Sequence, residues 1–148
     1  MKLSFLQRIT GLGSIAAGQV VGSGPAVAAV RYLLAEMPEL LLAAVLEVGS
    51  GEVQAAFSST RNFQPAAVAG PATAVLRQLQ GLLAAQQLPT TGPSEVVLTL
   101  TTQLHVLQLA PNGRQLLYLA VDARDTNLAI LRQVAAGAAG LLAGQSPD

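Results

Sequence analysis

Cysteine and tryptophan are absent from this 148-residue chain, which has one histidine, three phenylalanines and two tyrosines. Without cysteine there are no disulfides and no thiolate nucleophile, and a reducing compartment is permitted. A lone histidine with no cysteine leaves a zinc-type metal site without a ligand set. Charge is scarce as well. Eight basic and eight acidic residues cancel, and the basic ones, a single lysine among them, are scattered from Lys2 to Arg132. No polybasic stripe exists to neutralise phosphates, which excludes a nucleic-acid footprint. No uncharged apolar run is long enough to span a bilayer. The opening Met1-Lys2 followed by LSFLQRITGLGSIAAG has the outline of a signal peptide, but Gln7 and Arg8 break the apolar run early, and the chain reads as cytoplasmic.

What is present is aliphatic and small. Hydrophobic residues make up 51% of the chain, mostly Ala, Leu and Val, so its core must be filled by many small contacts with helices close to sheet. The length suits one domain. With so few charges to cover it, a single copy would expose broad apolar or alanine-rich patches, and this predicts an oligomer.

Residues 1–25 are rich in Gly and Ser and read as an N-terminal extension, partly flexible or with a short helix on Leu3, Leu6 and Ile9. From Pro25, AVAAVRYLLAEM places Val27, Val30, Leu33 or Leu34 and Met37 on one helical face, and Pro38 stops it. ELLLAAVLEV, Gly49-Ser50-Gly51 and EVQAAFSST read as a β-hairpin, since glycine supplies the positive φ of a tight connection. A long middle helix follows, with Val68, Ala72, Val75, Leu79, Leu82, Leu83 and Gln86 at helical spacing and a regular part beginning near Pro71. After the breakers from Pro89 to Pro93, SEVVLTLTT, LHVLQLA and RQLLYLAVD give three antiparallel strands, the last two joined at Pro111-Asn112-Gly113. Asp125 or Thr126 caps a final helix carrying Leu128, Leu131, Ala135, Ala138 and Leu142 on one face, and residues 144–148 are a tail. Strands apolar on both faces need cover on both, so the expected build is helix, sheet, helix.

The middle helix carries too little charge for a helix facing water. Between Asn62 and Glu95 the only ionisable side chain is Arg77. Opposite Val75 and Leu79 lie Gly70, Thr73, Arg77, Gly81 and Ala84, mostly small residues that let a second backbone approach. This predicts a helix buried twice, on its own sheet and against another chain, with Thr73, Arg77, Gln80, Gly81 and Ala84 at the interface.

Three stretches, MPELLLAAVLEVGSGEV, LHVLQLAPNGRQLLYLAVD and ARDTNLAILRQ, with Asn127-Leu128 and Arg132 in familiar places, together resemble the Roadblock/dynein light-chain family over about residues 26–143. The resemblance implies a fold of the α/β (α+β) class, profilin/roadblock-like. Its five-stranded antiparallel sheet has helices on both faces in the order α-β-β-α-β-β-β-α. It implies a non-catalytic module that forms a homodimer or heterodimer by joining two sheets edge to edge with the middle helices paired. Members bind or regulate Ras-like small GTPases in bacteria and archaea and act in dynein and lysosomal scaffolds in eukaryotes. Residues 1–25 have no counterpart in the minimal family domain, and the usual charged surface is thin here.

Other chemistry-bearing residues have plain readings. Gly11–Gly18, GLGSIAAG, has the shape of a dinucleotide-binding turn without the strand before it or the acidic residue closing the next strand. Gly49-Ser50-Gly51 is a turn rather than a phosphate cradle, since a strand follows. His105 stands alone in a strand. Asp122, Arg124 and Asp125 form a charged corner, and Ser58-Ser59-Thr60 are strand-end hydroxyls without a base. Arg61, Arg77, Arg114 and Arg132 are candidates for an acidic partner, and an arginine supplied in trans can assist GTP hydrolysis. The expectation is therefore a dimeric scaffold for a Ras-like GTPase with no catalytic, cofactor or metal site. The alternative is a structural adaptor or ligand-sensing module of the same fold.

Overall fold

Alternate residues of each long strand are apolar on opposite faces, and both faces are covered. The computed structural model describes residues 15–61, 64–89 and 95–144. They form β1 (Val20–Gly22), α1 (Gly24–Glu36), β2 (Leu40–Glu47), β3 (Val53–Ser58), α2 (Pro65–Ala85), β4 (Glu95–Thr99), β5 (Gln103–Leu109), β6 (Gln115–Asp122) and α3 (Leu128–Leu142). The strands make one antiparallel sheet in the order β1-β3-β2-β6-β5-β4. On one face Ala43, Val45, Ala55, Phe57, Val106, Leu117, Leu119 and Val121 meet Val30 and Leu33 of α1 and Leu131, Ala135 and Ala138 of α3. On the other, Ala44, Leu46, Ala56, Leu107, Leu109 and Leu116 meet Ala69, Ala72 and Leu76 of α2.

The sheet has six strands where the sequence suggested five, and the chain order gains a leading strand. The sixth is β1. Three residues are too few to show a period of two, and the glycines around it read as loop. The expected helix on Leu3, Leu6 and Ile9 and the tail beyond Gly144 lie outside the described residues. The α2 helix starts at Pro65, earlier than Pro71. Pro65 is pre-set for a first turn, and Pro71 is tolerated because it and Ala67, whose carbonyl loses a donor, both face solvent.

Two local devices fix the hairpin and the last helix. At the β5–β6 turn Gly113 adopts φ +71° and its amide donates to the Ala110 carbonyl at 2.9 Å, a geometry that favours glycine. The cap of α3 is Asn127 rather than Asp125 or Thr126: its Oδ1 accepts from the Ala129 amide at 2.8 Å and the Ile130 amide at 3.4 Å. Thr126 instead turns back, donating to the Asp122 carbonyl at 2.9 Å. The α1 and α3 helices pack closely enough that a Cβ added at Gly137 would lie 2.9 Å from the Tyr32 hydroxyl.

Candidate interaction surface

The α2 helix is alanine-rich, and size decides which side meets the sheet. Ala69, Ala72, Thr73 and Leu76 are its buried residues after Pro65. The larger Val75 and Leu82 are turned outward, 38% and 56% exposed. The helix is thus rotated from the orientation that its large aliphatic residues suggest. Small side chains let the helix axis lie close to the strands.

The rotation sorts the five expected interface residues. Thr73 is 5% exposed on the sheet side, where its Oγ1 donates to the carbonyls of Ala69 and Gly70 at 2.9 and 3.0 Å. It is a core residue and leaves the set. Arg77, Gly81 and Ala84 are exposed, and Gln80 is half-buried. A Cβ added at Gly70 or Gly81 would meet nothing within 4 Å, so the chain's own packing does not require glycine at either place. Among the described residues Arg77 makes no salt bridge.

At one end of the sheet β4 pairs with β5 alone. Its register puts Leu98 opposite His105, and that row continues through Ala120 to Leu42, on the face that α2 covers. Leu98 is 44% exposed and Leu100, just past the strand, 52%. An open strand edge, two exposed leucines and the apolar outer side of α2 therefore belong to the same face of the molecule. The sequence pattern showed β4 as a strand. Only the sheet order shows it as an edge, and only helix rotation shows Val75 and Leu82 as surface.

The polar groups on this face are mutually satisfied. The Tyr118 hydroxyl donates to His105 Nδ1 at 2.5 Å, and His105 Nε2 donates to Gln103 Oε1 at 2.8 Å, the tautomer of a neutral ring. Burial holds the His105 imidazole below its ordinary pKa and the Tyr118 phenol above its own. Hydrogen bonds from the Arg124 side chain and amide lower Asp122 to about 2, and the pair is closed by a 2.8 Å contact. Asp125 is exposed. Ser58 donates to the Thr60 carbonyl at 2.8 Å and Ser59 to that of Leu41 at 2.9 Å, so these hydroxyls brace backbone. Arg132 reaches across from α3 to Glu95 at 2.6 Å, tying the edge strand to a helix. Arg61 and Arg114 are exposed without a salt bridge among the described residues. Gly51, with φ +73°, serves the β2–β3 turn. Of GLGSIAAG the described part, from Ile15, runs into β1. Among the described residues no three His, Cys, Asp or Glu groups gather as a metal set, and no helix is long and apolar enough to cross a membrane.

No protein-family model matches the chain, and no curated protein matches it. Solved structures do. One described as MglB with tetrameric arrangement aligns with a TM-score of 0.68 at 18% identity, covering 88% of this chain and 96% of that one. The gliding protein MglB from Thermus thermophilus gives 0.68 at 17% identity, with the same coverage. A Roadblock/LC7 domain from Streptomyces avermitilis gives 0.64 at 17% identity, over 77% of this chain and 91% of that one. The chain has a Roadblock-type fold. Within the Roadblock-type fold the first hairpin, the middle helix, the three-strand meander and the last helix stand where the sequence resemblance put them. The identities are those of shared fold rather than shared detail.

Proposed function

We propose that the chain is a non-catalytic, cytoplasmic Roadblock-type scaffold. It forms a homodimer through the outer side of α2 and the open edge of β4, and it engages a Ras-like small GTPase, or a complex containing one, through the surface so built. The domain so proposed takes in Ile15, β1 and the whole of α1 besides residues 26–143, where the sequence set its start at 26. One observation carries the pairing: α2 turns Ala69, Ala72, Thr73 and Leu76 to the sheet and leaves Val75 and Leu82 exposed, on a helix with one charge. A lone soluble domain gains nothing by exposing such a stripe, whereas a second copy would bury it at about 25 cal/mol per Å². Gly81 and Ala84 allow the second backbone to come near, and Arg77 flanks them. The solved MglB structure with tetrameric arrangement shows that a protein of this fold self-assembles.

The GTPase partner follows from the family resemblance. Arg77 and Arg61, exposed and unpaired among the described residues, are the cations offered to an acidic partner. Any effect on GTP turnover acts by favouring one conformation of the partner, which requires different affinities for its nucleotide states. The test is retention of a Ras-like protein loaded with GDP or a GTP analogue on the immobilised chain. Retention of one nucleotide state with no GTP hydrolysis by the chain alone supports the reading. Intrinsic turnover, or equal indifference to both states, contradicts it. The sparse charge of this face favours a structural adaptor as the second reading, and absence of any retained GTPase would select it.

A further inference from the structure

A sheet with two open edges can add copies at both ends and grow without limit. In this chain the two edges are treated differently. The segment from Ile15 to Gly22 lies along β3, outside the core order of hairpin and meander. Ile15 is 3% exposed, sunk in the cluster beneath α2. The Gly18 amide donates to the Ser58 carbonyl at 2.8 Å, Val20–Gly22 pair with Phe57–Ala55, and the Ser23 amide donates to the Gln54 carbonyl at 3.2 Å. The outward carbonyls of Gln54 and Ser58 are thereby occupied, and Ala56 between them is paired with Val21. The far end is fitted closely. Gly22 sits at φ +127°, and a Cβ there would come within 2.6 Å of the Ala55 Cα. Gly24, at φ +65°, then turns the chain straight into α1.

We infer that Ile15–Gly22 is a strap that covers the β3 edge and leaves at that end only the three-residue edge of β1, too short to template another strand, so that a second copy of the chain can add at β4 alone. The strap holds at two points, Ile15 in the core and Gly22 against Ala55. It converts what would be a head-to-tail stack into a closed pair, because the longer open edge at β4 is then satisfied by the same edge of another copy. This rests on the pairing proposed above for β4, but the state of the strap is read separately.

The experiment uses the full chain with Gly22→Val, which is barred from the strap by both φ and space. Its readouts are light scattering across micromolar concentrations and amide exchange at Ala56. The expected result is assemblies that grow beyond two copies with concentration, and exchange at Ala56 faster by about tenfold or more, while Leu107 and Leu119 stay protected. A variant that remains two copies with the Ala56 amide exposed overturns the limit on assembly. Unchanged exchange at Ala56 overturns the strap itself, whatever the number of copies. A wild-type chain that scatters as single copies removes the β4 pairing instead and leaves the exchange result to decide the strap. If Gly22→Val loses the protection of Leu107 and Leu119, Ile15→Ser loosens the other fastening and is read by the same criteria.

Discussion

Burial disfavours the charged form of His105, and a neutral ring fits its two partners, Nδ1 accepting from Tyr118 and Nε2 donating to Gln103. Its folded pKa lies below the ordinary 6.5, so the unfolded chain takes up a proton first as the solution is acidified. The stability it contributes is complete above pH 6.5 and is lost as pH falls through the lowered folded value. Denaturant midpoints should therefore drop between about pH 7.5 and pH 5 in the wild type and drop less in His105→Gln. Equal slopes would refute the assignment. At the start of α3, Asn127→Ala should cost about 1 kcal/mol in urea unfolding, the usual worth of a lost cap. Asp125→Ala, at the position the sequence favoured, should leave the helix cap intact. The sequence pointed to Asp125 or Thr126 and passed over Asn127, since all three side chains can cap. The choice was made by Thr126, which turns back to the Asp122 carbonyl and so places the helix one residue later.

The α2 element has two unlike sides, one buried on the sheet and one exposed. Leu76, 2% exposed, faces the sheet, and Leu76→Ala should destabilise the fold by about 2–5 kcal/mol. Leu82, on the outer side, should behave in the opposite way. Leu82→Ala should change the unfolding free energy of dilute protein by less than about 0.5 kcal/mol while weakening self-association, as read by sedimentation. The β-hairpin at Asn112-Gly113 and the helix after Pro25 were legible, because period and turn residues there say one thing. The rotation of α2 was not. Hydrophobic periodicity weighs residues by size, so it assigned Val75 and Leu82 to the core, whereas close packing on a sheet favours Ala69, Ala72 and Thr73. Thr73, expected at an interface, is accordingly buried against the chain's own sheet, while Arg77, Gly81 and Ala84 are exposed. The Arg132–Glu95 contact joins α3 to the edge strand. With its arginine largely in solvent it is worth only about 0.2–1 kcal/mol, and its use is to hold β4 in place.

The whole molecule combines a near-neutral charge, an open β4 edge and an apolar helix side. Sheet order was beyond the sequence reading for a simple reason: β1 is three residues long, and a strand that short leaves no pattern. Its presence changes what the fold can join, since the β3 edge is occupied and the β4 edge is not. An interface built from Val75, Leu82 and Leu98 rather than from ion pairs should depend little on ionic strength. Association measured at about 50 mM and about 500 mM salt should therefore agree closely, whereas strong weakening at high salt would point to a different surface. The most direct measurement of the central claim is the molar mass by light scattering at micromolar concentration, for the wild type and for Leu82→Glu with circular dichroism to verify its fold. The account predicts two copies for the wild type and one for the folded variant. A wild type that runs as single chains, or a Leu82→Glu variant that pairs as well as the wild type, would contradict it.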